Sequence, residues 1–450
     1  MDTQLNTDSR LLRSALVCPD WTKAYPKIVS GSGSLLLDEH GTTYIDGSGG
    51  ASAATLLGHG NSEVASAMYD QACLTPLLPT HYFDSDIVEE YLAELVDFAP
   101  PNIGYAWLAS SGSDAIENAM KLAVQYHRLR GQIDRIRFIG REQSYHGGTF
   151  AALDIGGVAS RRRNYEALFF GHYHVPAAHC LRCPFGLEPQ SCSLECAEEV
   201  LRVIKNSNGS IAAVIVEPIV GAALGAVSAP ENYLQRLRTI TRETGVLLIF
   251  DEIMTGFGRT GANFVATHHG VEADIIVCGK GMSGGYYPLS GMLVARHIGF
   301  EFESRNEPFQ SGHTHACSPQ GAAVGRKVLE IIKRDGLVER AGRLGCKAIA
   351  KLRENLSAKI VADIRGKGLL FGLEFQLGLT RHQSRNYPAF SYLFGERALA
   401  SGLISYPGMS ASNSSGGHVK FAPPLNIEER VFDKLLDIVI DVVKELESKE

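Results

Sequence analysis

The sequence lacks long hydrophobic runs, a strong charge of one sign and an evenly paired set of cysteines. No apolar stretch approaches the ~18 residues that a membrane-spanning helix requires, so we expect no transmembrane segment. The chain has 43 basic and 49 acidic residues, and its net charge of −6 argues against a broad surface for nucleic acid or anionic membrane. Nine cysteines, an odd number in a chain of 450 residues, argue against a disulfide scaffold.

Targeting features are also missing at the two ends of the sequence. The first twenty residues include Asp2, Asp8 and Arg10 but no apolar core of the signal-peptide type, and the last residues contain no retrieval signal. Hydrophobic residues make up 45% and charged residues 20%, which excludes a disordered chain or a coiled coil. We therefore expect a soluble, cytoplasmic, globular protein whose partners are neither nucleic acid nor membrane.

The middle of the chain alternates apolar runs with amphipathic segments such as 233–243. Near-continuous apolar runs are typical of strands that are buried on both faces, and four occur here: Arg137–Gly140, Ile211–Val216, Val246–Phe250 and Asp274–Cys278. The alternation predicts an α/β domain with a parallel sheet. Glycine, at 47 of 450 residues, is in excess and predicts tight turns and close approaches of the backbone to a ligand.

The pattern changes near residue 318, where we predict a domain boundary. Residues 61–318 would form a large domain, residues 319–450 a smaller one, and residues 1–60 would pack with the smaller domain. In the C-terminal part we predict one glycine-containing strand over 364–375 and helices over 321–335, 341–356 and 427–446.

Glu217, Asp251 and Lys280 each come directly after a predicted buried strand. In an open α/β sheet, ligands bind outside the carboxyl ends of the strands, so these side chains predict a single site. The alternative is that each residue only ends its strand in solvent, and it is disfavoured because these strand ends occur together.

Small residues at 110–113 precede a predicted helix over 114–131. Free N–H groups and serine hydroxyls at a helix start can bind an anion. The same residues also fit an ordinary cap, with Ser111 accepting and Asp114 reciprocating. An amine, an anion cradle and a carboxylate suit pyridoxal phosphate, and Tyr145 on the glycine-rich turn 144–149 supplies an aromatic ring to stack on it.

At these segments the sequence resembles the class III aminotransferases, fold-type I enzymes that use pyridoxal phosphate, over about residues 30–445. The closest likeness is to the ω-transaminase branch. The resemblance implies a large domain with a mostly parallel seven-stranded sheet and a smaller α+β domain made of the N- and C-terminal segments. It rests on the motifs Ser111–Ala123, Tyr145–Thr149, Asp251–Gly261, Gly279–Pro288, Gly312–Thr314 and Phe421–Leu425.

The resemblance also implies the roles of the site residues. Lys280 would hold the cofactor as an internal aldimine, a Schiff base, and then act as the base, while Asp251 would pair with the pyridinium nitrogen. Glu217 would orient Tyr145 or a carboxylate-binding arginine. The phosphate of the cofactor would be bound by Ser111, Gly112 and Ser113, and by Thr314 of a second copy of the chain in a homodimer. The ring of the cofactor would be bound by Tyr145, His146 and Ile253.

The reaction implied is ping-pong transfer of an amino group from an amine or ω-amino acid donor to a keto acid or other carbonyl acceptor. A decarboxylating transaminase or an aminomutase would use the same residues. A non-catalytic relative would have lost Lys280 or Asp251, and both are present. No arginine occurs in 413–418, so a substrate carboxylate would need another group, such as Lys420 or one of the three arginines at 161–163, or would not be recognised at all.

Two other features depart from the simplest picture. Met254 stands where several branches of the family have glutamine, and its apolar side chain is consistent with the ω-transaminase branch.

The cysteines at 180, 183, 192 and 196 have spacing that would suit zinc, with His179 as a spare ligand. We favour buried or free thiols, because the lysine chemistry needs no metal.

Overall fold

The computed structural model describes residues 25–379, 389–409 and 416–449. No helix in these ranges is long and apolar enough to cross a membrane. The helices are α1 (Ser62–Leu74), α2 (Asp86–Phe98), α3 (Gly112–Leu129), α4 (Phe150–Ile155), α5 (Ala159–Arg162), α6 (Glu195–Asn206), α7 (Tyr233–Thr244), α8 (Val265–His269), α9 (Arg296–Arg305), α10 (Pro319–Arg334), α11 (Leu337–Asn355), α12 (Phe390–Ala400) and α13 (Glu429–Glu447). The strands are β1 (Ile28–Ser32), β2 (Leu35–Asp38), β3 (Thr43–Asp46), β4 (Ile103–Ala109), β5 (Arg137–Arg141), β6 (Tyr173–Val175), β7 (Ile211–Val216), β8 (Ile219–Val220), β9 (Val227–Ser228), β10 (Leu247–Asp251), β11 (Ile275–Cys278), β12 (Ser290–Ala295), β13 (Val361–Lys367), β14 (Leu370–Phe375), β15 (Leu403–Ile404), β16 (Tyr406–Gly408) and β17 (His418–Phe421).

A seven-stranded sheet in the order β4-β12-β11-β10-β7-β5-β6 forms the centre of the fold. From β11 to β6 neighbouring strands are parallel, while β12 is antiparallel to both of its neighbours. The predicted α/β class with a mostly parallel seven-stranded sheet is therefore confirmed. Successive side chains of β7 and β10 point to opposite faces, so Ile215 and Ile249 pack on the side of α3, and Val214 and Leu248 pack on the side of α6 and α7.

Strands from the two ends of the chain share a second sheet in the order β1-β2-β3-β15. A third sheet, β13-β14-β17-β16, is antiparallel throughout. Helix α1 packs against α10, so the elements just after residue 60 also contact the C-terminal part. The domain divisions at residues 60 and 318 stay a prediction.

The single strand predicted over 364–375 is wrong, because the chain forms the hairpin β13–β14 there. It turns at Gly368, whose φ of +57° lies in the left-handed region that favours glycine. A Cβ at this position would lie 2.4 Å from the carbonyl carbon of Thr260. The turn therefore needs glycine both for its conformation and for its close contact with the backbone at Thr260.

Candidate active site

A cavity of about 160 Å³ lies at the carboxyl ends of β7, β10 and β11. Glu217, Asp251 and Lys280, which were predicted to form one site, all line it. Parallel strands that are buried on both faces end at the same edge of the sheet, which explains why residues distant in sequence meet here. The full lining is Gly112, Ser113, Tyr145, His146, Gly147, Glu217, Ile219, Asp251, Ile253, Met254 and Lys280.

Asp251 is the last residue of β10, is 4% exposed and is held at both carboxylate oxygens. Its Oδ1 accepts from the backbone N–H of Ile253 at 3.1 Å, and its Oδ2 lies 2.8 Å from His146 Nδ1. Because an ionised carboxylate only accepts hydrogen bonds, the hydrogen is on Nδ1 of His146. Predicted only as a cofactor-binding residue, His146 is thus placed as the side chain that orients Asp251.

Lys280 begins a 3₁₀ turn, Lys280–Ser283, and its φ is +45°. This left-handed conformation costs a residue with a Cβ roughly 1–2 kcal/mol, and such strain is common at functional sites. Burial lowers the pKa of the Lys280 amine to about 8, while the negative charges of Asp251 and Glu217 act in the opposite direction. A larger fraction of this amine is therefore neutral and nucleophilic near neutral pH than for an ordinary lysine.

We expect the covalent reaction of Lys280 with an aldehyde to accelerate as pH rises and to level off above about 8, rather than near the ordinary lysine value of 10.5. The physical reason is that only the unprotonated amine attacks a carbonyl, and a lowered pKa releases the proton at lower pH. The measurement is the rate at which cofactor-free protein captures pyridoxal phosphate, trapped with borohydride and counted by mass spectrometry. A midpoint near 10 would contradict the lowered pKa, and Lys280→Arg provides the background rate.

Glu217 fixes the turn that carries Tyr145. Its Oε1 accepts from the backbone N–H of Tyr145 at 2.9 Å, and its Oε2 accepts from the backbone N–H of Gly221 at 3.1 Å. Burial raises the pKa of this carboxyl, and the nearby charge of Asp251 adds to the effect. Of the two roles considered for Glu217, the contacts favour the orientation of Tyr145.

The start of helix α3 faces the same cavity through Gly112 and Ser113. Ser111 is the helix cap, since its Oγ accepts from the backbone N–H of Asp114 at 3.2 Å, and it does not line the cavity. Ser113 Oγ accepts from the backbone N–H of Gly148 at 2.9 Å, which joins the helix start to the Tyr145 turn. A Cβ on Gly112 would lie 2.7 Å from Cδ1 of Ile253, so glycine is what allows Ile253 to approach the helix start.

Thr314 is exposed and lines a different cavity, together with Trp107 and His313. A single chain therefore does not bring Thr314 to Lys280. Its predicted contribution from a second subunit stays a prediction. Ile219 and Gly147 line the Lys280 cavity but were missed as site residues, although Gly147 lies in the Tyr145–Thr149 motif and Ile219 follows Glu217 by two residues.

The candidate carboxylate-binding groups occupy different environments. The Arg161 guanidinium lies 4.8 Å from the centroid of the Tyr145 ring, and its side chain is exposed. Arg162 donates to the backbone carbonyl of Leu153 at 3.1 Å and is held in a structural role. Lys420 is buried. In the stretch 413–418, which has no arginine, residues 413–415 lie outside the described part of the chain.

The zinc alternative finds no support in the described residues, which contain no group of three or more His, Cys, Asp or Glu side chains able to hold a metal ion. Cys192 Sγ instead donates to Glu195 Oε2 at 3.0 Å. Burial raises the pKa of the Cys196 thiol to about 12, so this thiol stays protonated at neutral pH.

Arg259 connects two parts of the chain that are far apart in the sequence. It is fully buried and donates to the backbone carbonyls of Leu369, at 3.0 Å, and of Pro423. Burial lowers the pKa of its guanidinium to about 9. Arg259 therefore links the segment after β10 to the C-terminal part and does not line the cavity.

Comparison with known proteins adds independent findings. The family described as Aminotransferase class-III matches residues 20–443. The uncharacterized aminotransferase YodT of Bacillus subtilis is 33% identical over 97% of this chain and 99% of its own length. An omega-aminotransferase of Caulobacter vibrioides is 30% identical over 87% of both chains. The crystal structure of an (S)-enantioselective omega-transaminase from Thermomicrobium roseum superimposes with a TM-score of 0.86, at 28% identity over 97% of each chain.

Proposed function

Because the chain belongs to the class III aminotransferase family, we propose that it transfers an amino group from an amine or ω-amino acid to a keto acid or other carbonyl acceptor. The transfer takes place in two half-reactions of the ping-pong type, with pyridoxal phosphate as the cofactor. The observation that carries the proposal is the single cavity lined by Lys280, Asp251 and Tyr145, which also opens onto the start of helix α3.

These residues fit pyridoxal phosphate in their chemistry. Lys280 supplies an amine, Asp251 a fixed carboxylate, and Tyr145 an aromatic ring, while the free N–H groups at the start of α3 suit a phosphate. When bound, the cofactor supplies an aldehyde that takes up the amino group and a ring that accepts an electron pair from a substrate carbon.

The protein's own side chains have distinct tasks in this proposal. Lys280 Nζ acts as the base that removes the proton from the substrate carbon bearing the amino group. The lowered pKa of about 8 suits this task, because a base works best when its pKa lies near the working pH. Asp251, whose orientation is fixed by His146, would hold the protonated ring nitrogen of the cofactor. Glu217 keeps the Tyr145 turn in place.

We also propose a homodimer in which Thr314 of the second copy completes the phosphate site. The position of Thr314 outside the Lys280 cavity of the single chain is consistent with that arrangement. Cysteines in the described part of the chain are free thiols, which supports a cytoplasmic location.

The test of the function is a single half-reaction followed by the visible absorption of the bound cofactor. Donors are added one at a time without an acceptor: alanine, glutamate, β-alanine, 4-aminobutyrate, a polyamine, an aryl amine and a long-chain amine. We expect at least one donor class to bleach the band and a keto acid to restore it. Bleaching by none of them, with cofactor bound, would contradict the proposal, and release of carbon dioxide would instead indicate a decarboxylating reaction.

A further inference from the structure

Lys420 occupies the middle of β17, between β14 and β16, where its direct partners are Gly372 and Tyr406. Its sequence neighbours Val419 and Phe421 belong to the main hydrophobic core. Because side chains alternate along a strand, Lys420 points away from that core, on the same side of the sheet as Tyr406.

The Lys420 amine is isolated in an unusual way. The side chain is 1% exposed, and its Nζ has no hydrogen-bond partner in the described residues. Nζ lies 3.8 Å from the centroid of the Tyr406 ring, a face that attracts positive charge but accepts no ordinary hydrogen bond. Buried lysines are rare unless an acidic group pairs with them. The amine therefore has no acceptor for its N–H groups among the described residues.

The face of the sheet that carries Lys420 packs beside the candidate active site, because Ala422, two residues further along, clusters with Ile219 and Met254, and both of these line the cavity. Burial lowers the pKa of Lys420 well below its ordinary value, the positive charges of Lys280 and Arg161 lower it further, and Glu217 acts in the opposite direction. Lys280 and Glu217 both line the cavity, and Arg161 lies over the Tyr145 ring. An anion that entered this side of the cavity would be attracted by Lys420.

We propose that Lys420 binds a carboxylate of the substrate, at the end remote from the reacting amino group. This proposal rests on the proposed function, and it narrows the substrates to amino acids and keto acids whose carboxylate lies away from the reacting carbon. The carboxylate supplies the acceptor that the buried amine lacks, and the amine takes up a proton to form the ion pair. Arg161 is the weaker candidate, because its exposed guanidinium is already solvated and stacked on Tyr145.

The experiment compares Lys420→Met with the wild-type holoenzyme on donors matched in length. 4-Aminobutyrate and butylamine differ only in whether a carboxylate or a methyl group ends the chain, and β-alanine and propylamine form a shorter pair. We expect Lys420→Met to lower the half-reaction kcat/KM for the carboxylate donors by about 10- to 100-fold, the loss of a charged hydrogen bond. The amines without a carboxylate should react at unchanged rates.

A second readout does not depend on turnover. Calorimetry of the holoenzyme with unreactive straight-chain carboxylates, from acetate to hexanoate, should show binding that Lys420→Met weakens by the same factor. Methionine is similar to lysine in length, and the substitution removes a buried amine that has no hydrogen-bond partner among the described residues. The melting temperature of the variant should therefore not fall. Lys367→Met, in the edge strand β13 of the same sheet, is the control and should change neither readout.

The outcomes separate the two proposals. Equal carboxylate binding by wild type and Lys420→Met, no carboxylate binding by the wild type, or a selective loss only in Arg161→Met would each overturn the role of Lys420. Bleaching by the carboxylate-free amines would in each case leave the transaminase function intact. Conversely, Lys420-dependent carboxylate binding in a holoenzyme that no donor bleaches would support the Lys420 site and contradict the function.

Discussion

Replacing Lys280 with alanine should abolish multiple turnover, with a loss of at least about 10⁴-fold in kcat, because one amine provides both the nucleophile and the base. The pyridoxal phosphate that remains bound should be held without a covalent bond. Two measurements check this: steady-state turnover with the best donor of the panel, and the mass of the protein after borohydride treatment, which should lack the cofactor adduct. A variant that turned over at the wild-type rate would contradict the central assignment.

Loss of folding is not expected to account for this result. Alanine at position 280 would keep the same left-handed backbone, φ +45°, and would relieve the burial of an amine whose pKa is lowered to about 8. The melting temperature of the cofactor-free variant should therefore be no lower than that of the cofactor-free wild type. Lys280→Arg is the matched control, since it keeps a positive charge but presents a guanidinium that stays protonated and cannot serve as a base.

The central sheet could be predicted well from the sequence because its strands are buried on both faces and need apolar residues at nearly every position. The predicted runs 211–216 and 246–250 correspond to β7 and β10 within one residue at each end. Strand β12 (Ser290–Ala295) escaped prediction, although it is fully buried, because a serine and a glycine begin it. The β13–β14 hairpin escaped because Gly368 has to satisfy a contact with Thr260 that is far away in the sequence.

In the site, too, residues marked by a local sequence pattern could be predicted, and contacts between distant residues could not. Lys280, Asp251 and Glu217 could be predicted because each follows a buried strand, and the topology of the sheet then brings them together. The bond from His146 to Asp251 spans 105 residues, and no local pattern indicates it. For Lys420, the alternation of side chains along β17 gives the face of the sheet, but only the folded structure shows that no acceptor in its described part bonds to the amine.

Replacing Asp251 with asparagine is expected to lower the rate of the half-reaction by about 10²- to 10³-fold while the cofactor stays bound. The size follows from losing one preorganised charged contact in a site shielded from water. Asparagine can still accept from the backbone N–H of Ile253, which now bonds to Oδ1 of Asp251 at 3.1 Å. The partner His146 can move its hydrogen to Nε2, which is buried and has no hydrogen-bond partner among the described residues, and accept from the new amide through Nδ1. The turn is thereby preserved, and what disappears is the negative charge that would hold a protonated ring nitrogen.

Single-turnover bleaching with a saturating donor, together with the amount of cofactor that stays bound, separates the loss of charge from the loss of structure. Asp274→Asn is the matched control, because Asp274 is a buried carboxylate just before β11, at the opposite end of the sheet, where it pairs with Arg238. We expect Asp274→Asn to lower the melting temperature and to leave the rate per bound cofactor unchanged. Asp251→Asn should lower the rate per bound cofactor and leave the melting temperature unchanged. Equal rates for Asp251→Asn and wild type would show that the negative charge at the end of β10 is not what drives proton removal by Lys280.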